Sequence, residues 1–284
     1  MKWCPKIVMQ ALMVALSQAV AMSAHAETAL TKTLPQSVRD AGTLRVIASP
    51  NSPPMIYAGK DARTLEGMEI DLTQAVADAL GVKLEVTSGT FDSLIPSIAA
   101  GRADLAVGSI GDLKTRQAQV DFVDYVKAGV GMAAAKGNGA GIKDLASLCG
   151  KKVAAVRGTF QERELSAQQS KCQAKGSVLE IQTFSDASGA VLALRSGRAD
   201  VWSGDTAQVA YAVKQYPNAL EQVGDMRIIA LLGYAVGKQN AQLRDAVKAA
   251  LDQLQANGKY RQILDKWGQS DTRADKISIN DAWL

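Results

Sequence analysis

Histidine, cysteine and aromatic residues are all scarce in this chain of 284 residues: one His, three Cys and 5% Phe, Trp and Tyr together. The single histidine, His25, falls in an N-terminal stretch that reads as a secretion signal. Lys2 and Lys6 give a basic start, an apolar run extends from Ile7 to Met22, and Ala24-His25-Ala26 supplies an A-x-A cleavage site. Cleavage there leaves about 258 residues, 27 to 284, with no histidine. Ser-His-Asp and Cys-His mechanisms and histidine-ligated metal sites are thereby excluded, so catalysis would have to rest on carboxylates, lysine or tyrosine. The apolar run is interrupted by Gln10, Ser17 and Gln18 and is short for a membrane span. No cysteine follows it at the cleavage site, so lipoprotein attachment is not expected. A free periplasmic protein is expected.

Charge excess is lacking too. Processing removes two of the 32 basic residues and none of the 28 acidic ones, lowering the net charge from +4 to about +2. With Lys and Arg evenly spread, neither nucleic acid nor a membrane surface is expected as the main partner. Two cysteines remain, Cys149 and Cys172, and in an oxidising compartment they are expected to form a disulfide contributing about 3 kcal/mol.

Short β-branched runs alternate with amphipathic helical stretches, the pattern of parallel sheets with crossover helices and hence of an α/β fold. Strands are expected at 44–48, 83–87, 105–108, 152–156, 178–182 and 199–202. Helices are expected at 68–80, 94–100, 160–173, 187–195 and 206–216, then 241–256 and 260–267. An internal echo stands out: IPSIAAGRADLAVGS, ending at Ser109, matches in kind VLALRSGRADVWSGD, ending at Asp205. Each copy is a helix, a glycine stop (Gly101, Gly197), Gly-Arg-Ala-Asp, an apolar strand and a second glycine. Two similar αβ units suggest two similar domains. Ligands of open α/β sheets bind beyond the carboxyl ends of the strands, which singles out Ser109 and Asp205 from opposite halves. The Gly-rich passage 136–141 divides the chain, and apolar runs at 128–135 and 228–236 are expected to carry it into the second half and back.

Several ordered motifs then carry a resemblance: Pro53-Pro54, Gly67-Met68-Glu69-Ile70-Asp71-Leu72, Phe91-Asp92-Ser93-Leu94-Ile95-Pro96, Arg116 ahead of Asp121-Phe122, Gly158-Thr159, Asp205, and Gly258-Lys259-Tyr260 leading to Lys266-Trp267-Gly268. Together they span nearly the whole processed chain and resemble the solute-binding proteins of polar amino-acid ABC transporters. The resemblance implies a type II periplasmic-binding-protein fold: lobe 1 from 27–134 plus 229–284, lobe 2 from 135–228, joined by two hinge strands. It also implies a monomer that binds an amino acid or close analogue, needs no cofactor or metal, and delivers to a membrane permease.

By the same resemblance Arg116 clamps the ligand α-carboxylate, for which a guanidinium offers a matched fork. Asp205 takes the ammonium, Phe91 is an aromatic platform, and Ser109 hydrogen-bonds the ligand head. Thr159 begins a capping box with Glu162, and the helix end at Thr159 and Phe160 adds partial positive charge for the carboxylate. Gly111 stands where Ser or Thr is common, leaving only backbone to serve. Ser49 and Ser52 occupy a stretch where binders of basic amino acids carry an acid and an aromatic, so lysine and arginine are expected to bind poorly. An arogenate or prephenate dehydratase-like enzyme on the same fold is the rival reading, with Glu66, Glu69 and Glu162 as open acid candidates. A ligand-sensing partner of a receptor is another.

Overall fold

A computed structural model describes residues 29–59, 61 and 64–283; the expected signal segment 1–26 lies outside them. Helix α1 (Gln36–Ala41) leads into β1 (Thr43–Ala48), in which Leu44, Val46 and Ala48 alternate inward. The short strands β2 (Asn51–Ser52), β3 (Ile56–Ala58) and β4 (Leu65–Glu66) form a separate antiparallel flap. Helix α2 (Met68–Leu80) follows, its residues Met68, Leu72, Val76 and Leu80 buried at helical spacing and its end marked by left-handed Gly81. Then come β5 (Lys83–Ser88), α3 (Leu94–Ala99), β6 (Leu105–Val107), α4 (Lys114–Gln117) and the long β7 (Val120–Ala135).

The second half repeats this plan with β8 (Lys152–Val156), α5 (Phe160–Gln173), β9 (Glu180–Phe184), α6 (Ala187–Arg195), β10 (Val201–Asp205) and α7 (Thr206–Gln215). Strand β11 (Leu220–Gly237) returns the chain to the first half, where α8 (Ala241–Ala256), α9 (Lys259–Lys266) and β12 (Arg273–Ile279) complete it.

The main sheet runs β5-β1-β6-β11-β7-β10-β8-β9, with β12 pairing β7. That order reads alike from either end. In each half the first strand pairs parallel with both its neighbours, and the strand of the repeated unit then meets a long strand antiparallel. The Gly-Arg-Ala-Asp echo has a common job. Asp104 N–H donates to the Arg45 carbonyl while its carboxylate accepts from Arg45 N–H; Asp200 N–H donates to the Lys152 carbonyl while its carboxylate accepts from Lys152 N–H. Each aspartate thus clasps the start of the neighbouring strand, after a glycine at φ 69° or 72° has ended the preceding helix.

Separate apolar clusters lie in the two halves. In the first, α2, α8 and α9 cover one sheet face and Leu94, Ile98 and Phe122 the other. In the second, Leu148, Leu165 and Leu179 fill one side and Trp202, Leu194 and Val209 the other. Cys149 and Cys172 are disulfide-bonded beside the former of these two, with Cα atoms 5.5 Å apart. No helix among the described residues is long and apolar enough to cross a membrane.

Four strands differ from the sequence expectation. The crossover strands begin well before residues 128 and 228, because β7 and β11 pair with each other along nearly their full lengths. Strand β9 starts at Glu180, since Val178 is 69% exposed and its carbonyl is taken by Gly150 N–H. Strand β10 extends to Asp205, held there opposite Val130 of β7.

Candidate functional site

Between the halves lies a cleft of about 720 Å³, counting the solvent at its mouth. Its floor is the crossing of β7 and β11, where the backbones approach so closely that a Cβ on Gly129 would fall 2.0 Å from the Arg227 carbonyl oxygen. All nine residues named from the sequence border it: Ser49, Ser52, Phe91, Ser109, Gly111 and Arg116 from the first half, and Thr159, Phe160 and Asp205 from the second. The halves touch across the mouth. Arg116 Nη2 donates to the Gly158 carbonyl at 2.8 Å, and Arg163 Nη1 donates to Thr115 Oγ1 at 2.9 Å.

Arg116 lies on α4 and is only 6% exposed. Nη1 donates to the Gly111 carbonyl at 2.8 Å, and the guanidinium sits 5.5 Å from the Phe91 ring centroid. Burial pulls its pKa down to about 10, so it stays cationic at neutral pH. No carboxylate forms a salt bridge with it among the described residues. A desolvated cation that meets only carbonyls and a ring leaves its strongest partner, an anion, to come from outside.

Ser109 ends the first repeated unit at φ 55°, a left-handed conformation uncommon for a residue with a Cβ. Its N–H donates to both oxygens of Glu69, at 2.8 and 3.0 Å, and Tyr125 OH donates to the same carboxylate. Glu69 is fully buried, and burial raises its pKa to about 7. It thus fixes the Ser109 backbone from beneath the cleft. Ser109 Oγ, which is buried, has no hydrogen-bond partner among the described residues. Gly111 is clipped to Leu232 of β11, and a Cβ there would meet only Arg116 Nη1, at 3.5 Å. Ser49 and Ser52 are 3% and 9% exposed and line the cleft, Ser49 just after β1 and Ser52 on the flap strand β2.

In the second half Asp205 caps α7, its Oδ1 accepting from Ala207 N–H at 2.9 Å, and it faces the cleft at 9% exposure. Burial raises its pKa to about 6, against backbone N–H groups of Ala207, Gly129 and Gln208 that favour the ionised form. It too has no salt-bridge partner among the described residues. Thr159 Oγ1 accepts from Glu162 N–H at 3.3 Å, and Glu162 reaches back to Gly158 N–H. Thr159 N–H is directed at the Val156 carbonyl, 3.4 Å away, while Phe160 N–H has no backbone or side-chain partner among the described residues; the helix end therefore offers fewer free donors than expected.

Sequence reasoning missed three residues here and the role of a fourth. Ser203 lines the cleft with an unpartnered, buried Oγ. Asp186 caps α6, accepting from Gly189 N–H with Oδ1 and from Ser185 Oγ with Oδ2. Its D-x-x-G context before a helix was the available signal. Gln208, one turn along α7 from Asp205, borders the cleft at 9% exposure. Glu69 was an open acid candidate; its part in holding Ser109 depends on contacts between α2 and the end of β6 that no local pattern encodes.

A sequence profile, bacterial extracellular solute-binding proteins, family 3, matches residues 44–270. The arginine-binding protein ArgT of Corynebacterium glutamicum is 30% identical over 250 residues, 87% of this chain and 81% of that protein. Among solved structures, an ancestral arginine-binding protein bound to arginine superimposes with a TM-score of 0.75 at 33% identity, covering 80% of this chain and 98% of that one. An ancestral amino acid-binding protein described as a precursor of cyclohexadienyl dehydratase gives 0.74 at 30% identity, covering 81% and 97%. A two-lobed α/β chain with a cleft at its crossover strands, matched by this profile over most of its length, belongs to the bacterial extracellular solute-binding proteins, family 3.

Proposed function

We propose that this protein is the periplasmic binding component of an amino-acid ABC importer, holding the zwitterionic head of an L-α-amino acid between its lobes. One observation carries the reading: a buried cation, Arg116, and a buried anion, Asp205, face one cleft from opposite halves, neither in a salt bridge among the described residues. An α-carboxylate and an α-ammonium supply the two missing partners together. Ser109 Oγ and Phe160 N–H add hydrogen bonds to the head, and Phe91 supports both the Arg116 plane and the ligand. Lobe 1 is taken as 27–134 with 229–284 and lobe 2 as 135–228, in keeping with the separate apolar clusters. The monomer closes on its ligand because both charges are satisfied only in the closed state, and that state is what a membrane permease reads.

Serines at 49 and 52 provide no counter-charge for a basic side chain, and the Asp186 carboxylate is already hydrogen-bonded, Oδ1 by Gly189 N–H of α6 and Oδ2 by the Ser185 hydroxyl. On these groups the site favours an uncharged or acidic side chain over lysine or arginine, in contrast to the arginine-binding relative. A thermal-shift screen of the processed protein against the twenty L-amino acids identifies the ligand, since binding to the native state raises the melting temperature. Calorimetry on Arg116→Ala should then show a loss of about 2–5 kcal/mol. Unchanged affinity in that variant rules out the clamp, and tight binding of arginine rules out the specificity. The enzymatic rival is tested by incubation with arogenate or prephenate, where formation of phenylalanine or phenylpyruvate would favour it.

A further inference from the structure

A second, larger compartment adjoins the cleft, about 1060 Å³ with the solvent at its mouth. Pro50, Pro53 and Tyr57 wall it from the first half, and Trp202, Tyr211 and Arg195 from the second. Tyr57 and Tyr211 face each other across it with ring centroids 6.5 Å apart, so it too takes its shape from the closed arrangement. Residues adjacent in sequence border the two compartments. Ser49 and Ser52 border the first while Pro50 and Pro53 border the second; Asp186 borders the first and Ala187 the second. Gln208 borders both, and its side-chain amide makes no hydrogen bond among the described residues.

Two donors of the second compartment stand out. Trp202 is 1% exposed, and its Nε1 has no acceptor among the described residues. That indole lies beneath Gly204, a wall of the first cleft, whose notional Cβ would stand 3.1 Å from Nε1. Among the described residues Arg195 is the one charged residue bordering the compartment; its guanidinium lies 3.9 Å from the Tyr216 ring centroid, outside any salt bridge among those residues. Aromatic and proline walls suit an apolar stem, and unpaired donors with no carboxylate beside them suit an acceptor or anion at its end.

Resting on the amino-acid reading above, we propose that the second compartment receives the distal arm of an elongated amino acid whose head occupies the first, the arm passing Gln208 and ending in a carboxylate near Arg195. The ligand class is therefore an α-amino acid with a long, mostly apolar arm and a terminal anion.

The test is calorimetry on the processed protein with three probes sharing one stem: L-norleucine, Nε-acetyl-L-lysine and Nε-succinyl-L-lysine. The succinyl probe should bind at least about tenfold tighter than norleucine, as expected for added buried area plus a charged contact. Arg195→Gln should reduce binding of the succinyl probe by about fivefold, the scale of an exposed ion pair, and leave the acetyl probe unchanged. Ser188→Trp places bulk in the compartment from an exposed helix position and should abolish the arm's gain without altering norleucine. Succinyl-lysine binding no tighter than norleucine, or insensitive to both substitutions, overturns the inference and leaves the amino-acid reading standing. Absence of binding by all three probes and by every common L-amino acid overturns both.

Discussion

Asp205 is asked to be a helix cap and a charge partner at once, and the two roles respond to acid differently. With its pKa raised to about 6 by burial, it loses its charge over a range where most carboxylates remain ionised. Ligand affinity should therefore fall about tenfold per pH unit below pH 6, and Asp205→Asn should bind weakly with a flat profile; calorimetry between pH 5 and 8 reads both. Stability of the ligand-free protein should move the opposite way. Glu69, Asp112, Asp124 and Asp205 all carry raised values, about 7, 6, 7 and 6, with burial the largest cause of each. Each retains its proton in the native state after the unfolded chain has lost it, so native stability declines as pH rises from about 4 to about 7. A melting temperature higher at pH 5 than at pH 8, by scanning calorimetry, is the expected result.

At the scale of elements, the repeated unit makes a graded prediction. Asp104 holds the Arg45 backbone and, at 2.6 Å, its guanidinium, whereas Asp200 holds only the Lys152 N–H. Since the Arg45 side chain is half exposed, its ion pair is discounted, and Asp104→Ala should destabilise by about 1–2 kcal/mol against less than about 1 for Asp200→Ala. The crossing of β7 and β11 is less forgiving. Gly129→Ala drives a methyl into the Arg227 carbonyl, so the urea midpoint should drop by the equivalent of about 3 kcal/mol.

The helices were legible because apolar spacing and glycine stops agree, as at Met68–Leu80 and Gly81. The front parts of the crossover strands were not. Asp121 and Asp124 interrupt the apolar run in β7, and Glu221, Gln222 and Asp225 do so in β11; only neighbouring strands make these segments extended. Strand β12 was missed for the same reason, its residues Arg273, Asp275 and Lys276 masking the pairing with β7. Placement of the site residues at one cleft followed from the end-of-strand rule and the ordered motifs. The support given to Ser109 by Glu69, and the shared wall at Gln208, come from residues far apart in sequence and leave no local trace.

On the scale of the whole molecule, the disulfide is remote from ligand chemistry. Cys149 and Cys172 border an apolar cluster inside the second half, and neither lines the cleft. Replacing both with serine should lower stability by about 3 kcal/mol, the value for a loop of this size. Ligand affinity should stay within a factor of about two, because no charged group of the cleft moves. Denaturant unfolding and calorimetry on the same preparation separate the two quantities.

The mirrored strand order also governs the sequence of assembly. Strand β6 lies between β1 and β11, and β11 reaches it only through Ala235 and Val236, some 130 residues later in the chain. The N-terminal half is thus left with a raw sheet margin until the second half has been threaded and the chain has come back. A polypeptide emerging from its N-terminus cannot complete its first module before its last, and the two modules are obliged to mature together.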